Sequence, residues 1–185
     1  MVVIRCSLLF ASLLLASRCP AQDVDSGPDT GKPVPALMVF DGTGPNQDKE
    51  LDYAAERKEK PTIYVFIQSD KWARPMARFL RKLDEVVVKQ CDDAYVIAVW
   101  LTDNAEKTKE YLPVAQRSLK FQNTALTCYP GEKAGPKDWG IYADAHLSAI
   151  VATKGCVTKR FGYRSINETD VPAVQEALKK ALTDK

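Results

Sequence analysis

Thr62-Ile63-Tyr64-Val65-Phe66-Ile67 is followed five residues on by Trp72-Ala73-Arg74-Pro75-Met76, and these two runs organise the rest of the chain. The first is β-branched or aromatic at every position. With both faces apolar, such a strand belongs in the middle of a sheet covered on both sides. Beyond Pro75, the residues Met76, Phe79, Leu80, Leu83, Val86 and Val87 recur at helical spacing. Arg78, Arg81, Lys82 and Glu85 take the other side, so the spacing predicts a strongly amphipathic helix with Pro75 at its opening turn. Residues 94–101 (AYVIAVWL) are then a second fully apolar strand.

Around this βαβ centre, Leu37-Met38-Val39-Phe40 reads as a first strand ended by Asp41-Gly42, and 50–56 as a short helix before Lys60-Pro61. Residues 105–119 read as a helix interrupted by Pro113. A short strand at 125–128 ends at Tyr129-Pro130-Gly131. Strands at 148–153 and 157–162 are joined by Lys154-Gly155, a compact hairpin signal. The chain closes with a helix over 170–182, its face formed by Val171, Val174, Leu178 and Leu182 and its first turn by Pro172. Alternating strands and helices predict an α/β fold with a mainly parallel sheet, helices on both faces and an antiparallel hairpin at the edge.

The chain has 185 residues, 45% hydrophobic and 27% charged, which suits one globular domain and a targeting segment. That segment is residues 1–21. A single charge at Arg5 precedes the short apolar core Leu8-Leu9-Phe10-Ala11-Ser12-Leu13-Leu14-Leu15-Ala16, and small residues lead to expected cleavage after Ala21. A spanning helix needs about 20 apolar residues, which this run does not reach. Arg18 argues against a lipid anchor at Cys19. No later stretch is long enough to span a bilayer, so the mature chain is expected to be exported to the periplasm or the extracellular space, without a transmembrane segment. Residues 22–32, rich in Asp, Gly, Ser and Pro, read as a flexible linker to a domain over 33–185. The leader holds two of the 26 basic residues and no acid, which leaves 24 basic against 24 acidic side chains. A net charge near zero carries no footprint for nucleic acid.

Cleavage would leave three of the five cysteines, Cys91, Cys128 and Cys156. None are spaced as CxxC and His146 is the sole histidine, so no metal site and no cofactor are expected. A Ser-His-Asp hydrolase would have to be built on that histidine without a nucleophile elbow.

The order of elements, together with Trp72-Ala73-Arg74-Pro75-Met76 at the junction of central strand and long helix, resembles the thioredoxin-like superfamily. Thioredoxins carry Trp-Cys-Gly-Pro-Cys at this junction. Trp139-Gly140-Ile141 is similar to the run that precedes the family's cis-proline, and Ala145 falls where that proline would be. Gly31-Lys32-Pro33-Val34-Pro35 resembles the entry of exported members. The likeness covers residues 31–182. It implies a thioredoxin-like fold, with a mixed central sheet, helices on both faces and a C-terminal β-β-α unit.

The resemblance also implies where chemistry has been lost. In the family the first cysteine is stabilised as a thiolate at a helix N-terminus, and the second resolves the mixed disulfide. Ala73 cannot attack, and Met76 cannot resolve. An alanine at position 145 removes the usual reason for a cis bond, which costs a non-proline residue about 2.5–4 kcal/mol. A peroxiredoxin would need one cysteine near the start of this helix after Pro and Thr, and 68–76 has none. The expectation is therefore an exported thioredoxin-fold protein without dithiol chemistry, acting as a binding or scaffold module. An extended peptide would lie between the Trp72 loop and the Ala145-His146 loop, over an apolar floor of Trp72, Met76 and Trp139. The alternative is a single-thiol redox or peroxide-reactive protein using Cys128, and a purely structural envelope domain is a third class.

Four further features stand out. Arg74, Arg78 and Arg81 are either an anion site at the helix start or a solvated face. Cys91 and Cys156 are a candidate disulfide at the opposite end of the sheet. His146 is either a pH-sensitive group or an ordinary polar side chain. Asn167-Glu168-Thr169 matches a glycosylation sequon.

Overall fold

The computed structural model describes residues 24–183. The leader expected over 1–21 lies outside them. Seven strands and four helices run in the order β1 (Met38–Asp41), β2 (Glu50–Asp52), α1 (Tyr53–Arg57), β3 (Thr62–Gln68), α2 (Arg74–Gln90), β4 (Tyr95–Leu101), α3 (Ala105–Leu119), β5 (Thr124–Cys128), β6 (Leu147–Thr153), β7 (Cys156–Tyr163) and α4 (Val171–Thr183). They form one sheet in the order β2-β1-β5-β4-β3-β6-β7. β4 pairs parallel with β3 and β5, while the other pairs are antiparallel. The apolar run at 62–67 is buried along its whole length, as its composition requires.

The strand period of two divides the core. Ile63, Val65 and Ile67 face one side with Phe79 and Leu83 of α2, Leu112 of α3 and Val174 and Leu178 of α4. Tyr64 and Phe66 face the other side with Leu37, Tyr53 of α1 and Trp139. Helices therefore cover both faces, but unequally. The crossovers β3→β4 and β4→β5 step in the same direction across the sheet, and right-handed connections then place α2 and α3 on one face. The face they leave is closed by α1, the segment before β1 and a 3-10 turn at Lys137–Trp139.

Three expectations are corrected. The helix expected over 50–56 begins three residues late, because Leu51 pairs with Val39 across a two-stranded ladder. Asp52 caps what remains, accepting from Ala54 N at 2.9 Å and Ala55 N at 3.2 Å. At the chain end Ala181, not Leu182, is the buried residue of the last turn.

The third correction concerns the tether. From Val24 onward it is docked on β7, an edge strand whose outer backbone groups would otherwise lack partners. Val24 N donates to Gly162 O at 2.9 Å, Gly31 N to Val157 O at 2.7 Å and Val157 N to Lys32 O at 2.9 Å. Arg160 clamps the middle, pairing with Asp25 at 2.7 Å and with Asp29 and the Gly27 carbonyl at 2.8 Å. The β6–β7 turn is as expected: Lys154 and Gly155 both have positive φ, 53° and 71°, the geometry of a two-residue hairpin.

Candidate functional site

At the carboxyl end of β3 the chain makes a 3-10 turn (Ser69–Lys71), passes Trp72 and enters α2. Ala73 is the N-cap, with extended backbone and no side-chain cap, and it lies on the surface. Arg74 is exposed beside it. Pro75 fits the first turn because a missing N–H costs nothing there. One turn in, Met76 faces the core and is 4% exposed. The two positions that would hold cysteines thus differ: one surfaces at the helix mouth and the other is a packing residue.

Trp72 turns toward α3. Its Nε1 donates to the Tyr111 hydroxyl at 2.8 Å, and its ring meets that of Trp100 edge-on at 5.0 Å. With Thr102, Asn104 and Thr108 these aromatics line a cleft of about 260 Å³. Sequence reasoning passed over Tyr111 and Trp100; an exposed tyrosine on a helix gives no local sign that it meets a loop 39 residues earlier.

The second loop is stitched to the first. Gln68 N, at the end of β3, donates to His146 O at 3.1 Å, and His146 N donates to Tyr163 O at 2.8 Å. Ala145 is buried, and its N–H closes a turn onto Tyr142 O at 3.0 Å. No cis peptide bond occurs among the described residues. His146 is half-buried, and Asp144 pairs with Arg164 at 3.5 Å. The expected floor is corrected here. Trp139 lies on the opposite face of the sheet, fully buried, with its Nε1 on the Ala36 carbonyl at 3.0 Å and its ring against Tyr64 and Phe66. With Met76 also in the core, only Trp72 of the three aligned side chains reaches the surface.

The arginines do not converge. Arg78 pairs with Glu168 at 2.8 Å and Arg81 reaches Glu85 at 3.9 Å, so that of these three Arg74 alone has no ion-pair partner among the described residues. Asn167 of the sequon caps the turn before α4, accepting from Thr169 N at 2.8 Å.

Cys128 closes β5 fully buried, opposite Trp100 on one side and Phe40 on the other. Through Trp100 it adjoins Trp72, but β4 and β3 separate it from Ala145. Burial pushes its thiol up to about 11, and the Lys109 ammonium pulls the other way without offsetting this. Cys91 and Cys156 are also free thiols, so the candidate disulfide is not formed. Cys91 caps the end of α2, and Cys156 begins β7 at the sheet edge. α4 packs beside α2, with Gln90 Nε2 on the Gln175 carbonyl at 3.4 Å, and it also packs on β7, so it stands between the two cysteines. Among the described residues no group of three or more His, Cys, Asp and Glu could hold a metal ion, and no helix is long and apolar enough to cross a membrane.

No protein-family model and no curated protein matches this chain. Solved structures do. A Chlorobium tepidum protein assigned as the thiol:disulfide interchange protein DsbE has a TM-score of 0.62 at 14% identity, over 84% of this chain and 99% of that one. The exposed lipoprotein thioredoxin of Streptococcus pneumoniae has 0.58 at 17% identity, over 79% and 99%. A thiol peroxidase from Chromobacterium violaceum has 0.57 at 14% identity, over 88% and 92%. The chain therefore has the thioredoxin-like fold, and its similar structures are mostly those of redox proteins. At such identities the likeness carries the fold alone.

Proposed function

We propose that this protein is an exported thioredoxin-fold binding module that has given up dithiol exchange. The observation that carries the reading is the occupancy of the α2 N-terminus. Ala73 stands at the exposed N-cap, Met76 is packed into the core, and the nearest thiol, Cys128, is fully buried and held in its protonated form. A thiolate is the attacking species in disulfide exchange, and the start of α2 carries no cysteine to supply one. What remains on the surface is Trp72 with Ala73 on one loop and Tyr142 to Asp144 with His146 on the other, joined through Gln68 and suited to an extended peptide. Export rests on the leader pattern of residues 1–21, and the exposed lipoprotein thioredoxin among the similar structures supports it.

The single-thiol alternative draws on Lys109, the one cation acting on Cys128. Reduction of insulin disulfides by the purified protein, alongside Cys128→Ser, separates the two. No activity in either supports the binding module; activity lost on substitution would overturn it. Peptides or proteins captured by the parent but not by Trp72→Ala would then identify the groove's occupant, and identical captured sets would sink the groove.

A further inference from the structure

A cavity well larger than the cleft at the Trp72 loop lies on the sheet edge, between β7 and α4, with a volume of about 720 Å³. Its floor is Phe161 and Cys156, side chains of β7 on the face that α4 covers only in part. The opposite wall is α4, which presents Ala173, Ala177 and Ala181 there. These short side chains leave the trough open where larger ones would meet Phe161. The rim is cationic: Lys159, whose ammonium lies 5.9 Å from the Phe161 ring centroid, Lys180 across the groove on α4, and Lys154 at one end. Glu176 is the one acid that lines it.

A cavity of this size and apolar character falls among small-molecule sites, roughly 300–1,000 Å³ with few polar groups. Addition of a peptide strand is blocked, because the outer edge of β7 is already paired with residues 24–34. The surplus of ammonium groups on an apolar trough selects an anionic head on an apolar body. We infer that this groove binds a small amphiphilic monoanion, an alkyl or aryl chain ending in a carboxylate or sulfonate. The chain would lie on Phe161 along the alanine wall, with its head between Lys159 and Lys180.

The test is fluorescence titration of the purified protein with anilinonaphthalene sulfonate, followed by displacement with dodecanoate below its micelle concentration. Dodecyltrimethylammonium has the same chain and the opposite charge. Dodecanoate should displace the dye about tenfold more effectively than the cation, and it should slow iodoacetamide modification of Cys156 but not of Cys91. Ala177→Trp should abolish displacement; Ala173→Phe, at an exposed position, tests the same filling where Ala177→Trp fails to fold. Lys159→Glu with Lys180→Glu should cost about tenfold for dodecanoate and leave the unfolding midpoint in place. Equal displacement by anion and cation, or absence of Cys156 protection, would overturn the assignment. So would a concentration-dependent dimer that Ala177→Trp dissociates, since a second copy would then be the groove's occupant.

Discussion

Trp72 Nε1 donates to the Tyr111 hydroxyl at 2.8 Å, so the loop that in a thioredoxin carries the reactive cysteines is tied to α3. The Trp100 ring at 5.0 Å completes the contact. Tyr111→Phe should keep the ring packing and lose the hydrogen bond, costing about 1 kcal/mol or less at this half-exposed site. A double-mutant cycle with Trp72→Phe, read by urea unfolding, should show coupling of about 0.5–1 kcal/mol. Strictly additive effects would mean that the two side chains do not hold each other in solution.

Cys128 should be the slowest of the three described cysteines to alkylate at neutral pH. Cys91 and Cys156 are half-buried, whereas Cys128 is fully buried with its thiol pushed up to about 11. Mass spectrometry after timed iodoacetamide treatment reads the order directly. Fast modification of Cys128 in the folded protein would reopen the single-thiol reading.

The same burial shapes alkaline stability. The folded protein holds the Cys128 proton up to about 11, while the unfolded chain releases it near about 8.5. Between those values the unfolded state binds fewer protons, so stability falls as pH rises. Burial also pushes Tyr95 up to about 12, which steepens the decline above about pH 10, where an unfolded tyrosine ionises. Urea midpoints from pH 7 to 11 should decline in the parent, and Cys128→Ser should flatten the stretch from about 8.5 to about 10, below the tyrosine range.

Asp84 is the buried acid of α2. Its carboxylate accepts from Gln122 N and Asn123 N, both at 2.9 Å, and from the Thr124 hydroxyl at 2.6 Å, fixing the entry to β5. Asp84→Ala strands these donors and should cost about 2–4 kcal/mol. Asp84→Asn, which keeps one acceptor oxygen, should cost less. Equal losses for both in equilibrium unfolding would assign the effect to helix packing instead.

Gly162 has no room for a side chain: a Cβ there would stand 2.3 Å from the Val24 carbonyl. Gly162→Ala should release the docked N-terminal segment near Val24, and Arg160→Met should loosen its middle. Hydrogen exchange of the Val24, Gly31 and Val157 amides should accelerate in each variant, with a stability loss of about 1–2 kcal/mol for the glycine change. Unchanged exchange would show that the edge of β7 does not depend on this segment.

Much of the fold was legible because burial leaves a period in the chain. The run at 62–67, the helical spacing from Met76 to Val87 and the Lys154-Gly155 turn each carry their structure locally. The candidate site was legible only by position. That Trp72 and Pro75 keep a thioredoxin outline while Ala73 and Met76 break it is a matter of residue identity. Where Trp72 points is not, since its partner Tyr111 lies on another element.

By itself, then, the sequence determined the α/β order, the central strand and the absence of any thiol at the start of α2. These are properties of composition and of periods two and 3.6, which no distant contact can alter. Tertiary structure alone decided that three helices share one face and that residues 24–32 seal β7. It also placed Trp139 and Met76 in the core, where sequence reasoning had put them in a groove, and set α4 between Cys91 and Cys156. Each of these depends on strand order and crossover hand, which set distances between residues far apart in the chain. The loop between β3 and α2 follows the central strand as the sequence requires, and its tryptophan is held there by a tyrosine on α3.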